Sequence, residues 1–351
     1  MKRLLLMIAG ILALQAYGEY YLQYPFIKEF PEAWNGFDDK VSGLEFRVYG
    51  FNTNQVIIID PSAFTMADLL CPYNKDTYEI PAVISSGDVE YSVVGVENNS
   101  FYMGPNWGPD YVSFPPTMRF IQGNCFNAAI NTLGFSEGLE RIAYNCFNFL
   151  GVRELKFPDS LVEIGESCFS SCSNLESIQF GKGLQAIGWN SFCDNDNLIE
   201  VEIPDCVHNL HQGLFHNFNN NKSLKKVTLG ILPTQLNLYD CFNGCPEINL
   251  IVCKGPHSVS FENCFNDVDK SKCIVVVRDG SKEHYMRSDG WKDFIIMEES
   301  EYETHVKNLK QEKVTPDIFT LDGIKVNDES EVPHGEIYIK RHGSESTKIM
   351  K

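Results

Sequence analysis

Phenylalanine recurs through the middle of this chain at Phe101, Phe126, Phe147, Phe169, Phe192 and Phe215, at intervals of 25, 21, 22, 23 and 23 residues. The register extends beyond the anchor itself. Five residues before each Phe stand Val96, Ile121, Ile142, Ile164, Ile187 and Leu210, and eight before stand Val93, Met118, Leu139, Leu161, Leu184 and Val207. Self-similarity at this period is the mark of a solenoid, in which one unit cannot bury its own apolar edge and stacking completes the core. Length alone, 351 residues with 43% hydrophobic content, suggests two or three compact domains. The repeat replaces that expectation with one stack.

Between anchors runs a second apolar pattern, alternating as a short strand does: Val152-Arg-Glu-Leu155-Lys-Phe157, Leu175-Glu-Ser-Ile178-Gln-Phe180, Leu198-Ile-Glu-Val201-Glu-Ile203 and Leu224-Lys-Lys-Val227-Thr-Leu229. Pro158 and Pro204 follow two of these strands, where a missing N–H ends the ladder at little cost. Each coil is therefore read as a strand, a turn, a return segment and a Phe-led half-turn. Two further anchors, Phe242 and Phe265, keep a Cys-Phe pair but lose the upstream columns, with Thr234 and Asn237 where Leu and Ile belong. Those coils are read as degenerate or as carrying shifted turns. The stack ends at Ile274–Val277, with Ser281 as the N-cap of a closing helix that hides the open edge.

The ends differ from the middle. Lys2 and Arg3 precede an apolar run from Leu4 to Leu14, and Ala16 and Gly18 supply small residues for a peptidase, which predicts a signal peptide cleaved near Gly18. Residues 19–77 are read as a strand-rich N-terminal cap, 78–295 as the solenoid with its closing element, and 296–313 as a charged linker or exposed helix. Residues 314–351 are read as a small strand module, with Asp322-Gly323 as a hairpin turn. The fold class expected is an α/β to mainly-β solenoid of about 23-residue coils.

The formal charge of −18 disfavours nucleic acid and anionic lipid as partners. Twelve cysteines in an exported chain first suggest disulfides. Yet Cys125, Cys146, Cys168, Cys241 and Cys264 each directly precede an anchor Phe. Residues in one register of adjacent coils point the same way, which is poor bridging geometry. Buried structural thiols are the favoured reading, with bridges among them as the alternative. Cys206, His208, His211 and His216 form the one metal-like cluster, but their spacing matches no standard zinc pattern, and they are read as incidental surface residues. No phosphate loop, zincin motif or nucleophile elbow occurs, so no catalytic residue, cofactor or metal is assigned and the chain is read as non-enzymatic.

The segment Phe157–Leu175 resembles the BspA-type leucine-rich repeat, which commonly reads I-P-x-S-V-x-x-I-G-x-x-A-F-x-x-C-x-x-L. The close, Gly280–Tyr285 followed by Gly290–Phe294, is similar to the usual end of such arrays. The resemblance covers about residues 40–295 and implies a bacterial surface or secreted protein, of the kind found in Bacteroidetes, that adheres to host matrix proteins or glycans. The tail is similar to C-terminal modules of exported proteins from that group, some of which direct secretion; a plain structural unit is the other reading. Asn98-Asn-Ser100 and Asn221-Lys-Ser223 match the N-glycosylation sequon, for which the resemblance implies no machinery. Asp159-Ser160-Leu161 matches the short O-glycosylation pattern of Bacteroidetes, with a plain turn Ser as the favoured reading.

A partner is expected on the strands, where residues between core positions face outward in columns across coils. One column reads Arg153, Glu176, Ile199, Lys225; the next Glu154, Ser177, Glu200, Lys226; a third Lys156, Gln179, Glu202, Thr228. The candidate ligand-binding residues are Arg153, Glu154, Lys156, Glu176, Gln179, Glu200, Glu202, Lys225 and Lys226. A solvated sheet with self-neutralising charge ladders is the alternative. The aromatic stretch around Phe101, Tyr102, Trp107 and Tyr111 is a second candidate surface. Function is expected to be surface binding of an extracellular protein or glycan, with a structural envelope role as the alternative.

Overall fold

The computed structural model describes residues 36–39, 44–48, 54–59, 77–86, 88–98, 101, 108–205, 207, 214–233, 236–312, 317–326, 331–342 and 345–350. The signal-peptide segment, Cys71, Cys206, His208 and His211 lie outside them.

Two rows of mostly parallel strands run along the stack. The return row leads from Gln55–Ile59 through Val89–Val96, Phe120–Ile121, Arg141–Ile142 and Glu163–Ile164 to Ala186–Ile187, and an antiparallel ribbon, Gly36–Asp39 and Leu44–Val48, precedes it. The front row falls into three ladders. Thr77–Glu79, Tyr111–Ser113 and Thr132–Gly134 form the first; Glu154–Lys156 and Ser177–Gln179 the second. The third joins Glu200–Ile203, Lys226–Leu229, Leu250–Cys253, Ile274–Val277 and Ile295–Glu298. One continuous core lies between the rows. The fold is thus a mainly-β solenoid with few helices, as the periodicity implies.

The core is built around the anchors. Phe101, Phe126, Phe147, Phe169, Phe192, Phe218, Phe242 and Phe265 stack ring on ring, with centroids 4.5, 5.2, 5.2, 5.3, 5.4, 5.7 and 5.4 Å apart in chain order. A second column, Phe114, Phe135, Phe157 and Phe180, stacks beside it and meets it edge to face. The turn that aims the anchors inward is costly. Phe126, Phe147, Phe169 and Phe192 all have φ between 56° and 61°, a left-handed conformation that costs a non-glycine residue about 1–2 kcal/mol. Burying the ring returns about 1.5–3 kcal/mol, and each aromatic contact adds about 0.5–1.5, so packing wins at every anchor. Two residues earlier the chain is also left-handed, and Asn124, Asn145, Ser167, Asn190, Asp240 and Asn263 stand there. Asn and Asp tolerate that conformation better than most residues.

The ring stack corrects the sequence reading at the sixth anchor. Phe218, not Phe215, occupies the column, 26 residues after Phe192, and Phe215 lies in the return-row strand Leu214–Phe215. The sequence period had suggested Phe215 because it sits at the average spacing. The three extra residues displace the turn, and only stacking identifies which Phe enters the core. From this coil on, the return row changes register: Leu214–Phe215 pairs with Leu238–Tyr239, and Asn237–Tyr239 with Ser260–Glu262. The apolar positions missing at Thr234 and Asn237 are supplied by Leu236 and Leu238, both buried. These coils are shifted rather than empty.

The array closes as anticipated, through helix Lys282–Arg287 and the turn Trp291–Asp293. Tyr285 and Trp291 are fully buried over the last coil, and the Trp291 indole N–H donates to the Val259 carbonyl (2.9 Å). Ser281 precedes the helix but its hydroxyl caps nothing. Glu298 Oε1 accepts from the Gly280 and Lys282 amides instead (2.7 and 3.4 Å). Segment Glu299–Glu312 is a helix, and the tail is a four-stranded antiparallel sheet whose first hairpin turns at Leu321–Ile324, with Gly323 at φ 85°.

Candidate binding face and the buried polar ladders

The front row carries the sequence-predicted residues in two separate ladders, and Thr228, expected to face outward, is buried instead. Glu154 lies opposite Ser177 and Lys156 opposite Gln179, while Glu200 lies opposite Lys226 and Glu202 opposite Thr228. Arg153 pairs with Glu176 at 2.7 Å and Lys226 with Glu200 at 3.1 Å. Glu202 takes a partner from two coils away, Lys254. On the intervening coil Thr228, opposite Glu202, is buried, and Gly230, level with Lys254, has no side chain, so nothing blocks the span. Lys254 was missed in the sequence because its strand belongs to a coil whose anchor columns are shifted. The pairing of Leu229 with Cys253 is what places it beside the face.

These ion pairs are solvent-exposed, and such pairs contribute about 0–1 kcal/mol each. They order the surface more than they stabilise it. Glu154, Lys156 and Lys225 are exposed. Arg153, Lys156, Lys225, Lys226 and Lys254 against Glu154, Glu176, Glu200 and Glu202 make the face nearly neutral, on a chain that carries −18 overall.

The cysteines belong to another arrangement. None of the ten described cysteines is in a disulfide, and all are buried. In the column before the anchor, Cys125, Cys146 and Cys168 donate S–H to the carbonyls of Glu97, Gln122 and Ala143 on the preceding coil (3.0, 3.1 and 2.9 Å). Ser191 donates to Gly165 (2.8 Å) and the Asn217 carboxamide to Gly188 in the same way. Three residues after the anchor a second ladder runs through Cys172, Asn195, Asn221 and Cys245. Each donates to an anchor carbonyl one coil back, at Phe147, Phe169, Phe192 and Phe218 respectively. The alternating left-handed turn leaves these carbonyls without strand partners, and a buried carbonyl needs a donor. Cys, Ser and Asn are interchangeable here because each is small and can donate.

This accounts for the thiols without chemistry. Burial pushes Cys146, Cys168 and Cys241 well above the ordinary thiol range, and Cys172, Cys193, Cys245, Cys253 and Cys273 to about 12. A nucleophilic cysteine needs the opposite environment. Of the histidine cluster, His216 is described; it contacts the Asn219 carboxamide (3.1 Å) and lies 3.7 Å from Asp240. Among the described residues no three His, Cys, Asp or Glu side chains gather as metal ligands, and no helix is long and apolar enough to cross a membrane. Asn221, in the second sequon, is fully buried with its carboxamide bonded to two carbonyls, so the folded chain does not present it for modification.

Comparison with known proteins follows the geometry. Three solved structures are similar over most of this chain. The pneumococcal vaccine antigen PcpA shares 15% identity, covering 76% of this chain and 98% of that one, with a TM-score of 0.42. A leucine-rich repeat protein of T. pallidum shares 17%, covering 71% and 86%, with a TM-score of 0.36. A leucine-rich cell surface protein from Faecalibacterium prausnitzii shares 12%, covering 78% and 97%, with a TM-score of 0.32. No curated protein matches. Residues 95–222 match the BspA type leucine rich repeat region in six copies.

Proposed function

We propose that this chain is an exported, non-enzymatic recognition module whose front face binds an extracellular protein or glycan, in adhesion to host or neighbouring-cell ligands. The observation that carries the reading is the front face itself. It is a row of stacked strands, in three ladders, whose charges are balanced locally while the chain as a whole is strongly acidic. A face of that kind approaches neutral or acidic partners without the repulsion the rest of the surface imposes. The signal-peptide pattern of residues 1–18, the match to BspA-type repeats and the buried, structurally committed thiols all accord with it.

The test is capture of the secreted chain on arrays of matrix proteins and glycans. Specific capture that weakens with Lys156→Glu, Glu176→Lys and Glu202→Lys supports the reading, because these reversals leave the core untouched. Retention of the protein in the periplasm, with no capture, refutes it and leaves the structural envelope role.

A further inference from the structure

The front row loses its ladder twice, before Glu154–Lys156 and before Glu200–Ile203. The two breaks are not equivalent. In the turn below the first, Glu137 reaches across to the next coil and accepts from the Asp159 and Ser160 amides (3.2 and 3.3 Å). The following coil repeats the device, Asp159 accepting from the Lys182 amide (2.9 Å), and Asp205 accepts from Ile231 (2.8 Å). Lys182 stands in that place in its own coil, and an ammonium group has no acceptor to offer. At the second break, therefore, neither a strand ladder nor a carboxylate bridge draws the coils together, and a cleft of about 480 Å³ opens there.

Its floor is unusual for this solenoid. Leu155 and Phe157 are 1% and 3% exposed, whereas their counterparts Ile178 and Phe180 are only half-buried. Phe180 stacks on Phe157 (5.6 Å) on one side and is the last ring of its column, since the next coil places Ile203 there. The rim is polar and balanced. Gln179 offers a carboxamide, Glu202 and Asp205 carboxylates, Lys182 and Lys254 ammonium groups.

We propose that this cleft is a carbohydrate subsite, taking a neutral sugar ring of a glycan with its C–H face against Phe180 and its hydroxyls on the rim. The inference rests on the recognition role proposed for the front face and places it at one point. A sugar ring presents an apolar face together with hydroxyls that both donate and accept, which this floor and rim match group for group. The volume falls in the range of ligand pockets, about 300–1,000 Å³. The zero net charge of the rim disfavours a strongly ionic ligand. A peptide strand is disfavoured too. The two coils are still tied by the Ile199 amide to the Glu176 carbonyl (3.3 Å), and an inserted strand needs about 4.8 Å of clearance on each side.

The test is titration of the full chain with neutral oligosaccharides found on a glycan array, by calorimetry and saturation-transfer NMR. Phe180→Leu and Lys182→Asn are each expected to weaken binding by roughly tenfold or more. Phe180→Leu keeps an apolar side chain in the floor. Lys182→Asn restores an acceptor for the Asp205 amide, so its melting temperature is expected to equal or exceed wild type, which separates lost binding from lost fold. Arg287→Gln, on the closing helix, is expected to change nothing. Capture of a protein or peptide ligand with no oligosaccharide bound overturns the subsite and leaves the recognition face standing. Oligosaccharide binding indifferent to both variants also overturns the subsite. A chain that captures neither class overturns both proposals.

Discussion

Replacing Asn195 with alanine tests whether the inner polar ladder is structural in the sense argued above. The side chain is fully buried. Its Oδ1 accepts the Cys172 amide at 2.7 Å and its Nδ2 donates to the Phe169 carbonyl at 3.1 Å. Its own amide donates to Asn221 Oδ1 at 2.8 Å, a bond that survives truncation. Asn195→Ala therefore leaves one donor and one acceptor buried without partners, at about 1–3 kcal/mol each, or about 2–6 kcal/mol together. The void left by the carboxamide acts in the same direction. Against a typical domain stability of about 5–15 kcal/mol, that is a large loss. Asn195→Cys is the informative comparison. Cys172 and Cys245 reach the equivalent carbonyls at 3.5 and 3.2 Å, so a thiol at 195 keeps Phe169 satisfied and forfeits only the Cys172 amide. Its cost is expected to be roughly half that of alanine. Urea unfolding followed by far-UV circular dichroism gives both values, and hydrogen exchange at the Cys172 amide reports the local opening. An alanine variant within about 0.5 kcal/mol of wild type, or a cysteine variant as costly as alanine, refutes the ladder argument.

Two further outcomes follow from the same structure. None of the ten described cysteines is expected to react with iodoacetamide at pH 8 in the folded protein, since all are buried out of the reagent's reach and burial raises thiols such as Cys146 and Cys172 above the ordinary range; all should react in urea, and a labelled Cys146 or Cys172 in the native state, or a bridge found by mass spectrometry of unreduced protein, contradicts it. Glu301 accepts from Lys282 (2.7 Å) and from the Glu298 amide (3.0 Å), and these bonds hold its carboxyl below the usual range. A lowered folded value means the contribution is present above the unfolded value, about 4.3, and is lost as pH falls through the folded one. The first turn of helix Glu299–Glu312 should therefore loosen below about pH 4, seen as faster amide exchange, and Glu301→Gln should abolish that pH dependence; an unchanged acid response in the variant counts against the assignment.

The local sequence determined the solenoid, because burial in a repeat depends only on which side chains return every 21–26 residues. Val93, Leu139, Ile142 and Phe147 are core by periodicity and are core in fact. Alternation also fixes which residues of Glu154–Lys156 leave the sheet, but it fails at Thr228, which is buried in the stack. Three features needed the tertiary structure. Phe218 replaces Phe215 because ring stacking, not mean spacing, selects the anchor. The cysteines act as hydrogen-bond donors because the carbonyls they satisfy lie one coil away, 24 to 28 residues distant in the chain. The gap beside Lys182 exists because a carboxylate bridge is missing there. A pattern read along the chain records what each coil repeats; an interaction between coils, or its failure, becomes visible only when they are stacked.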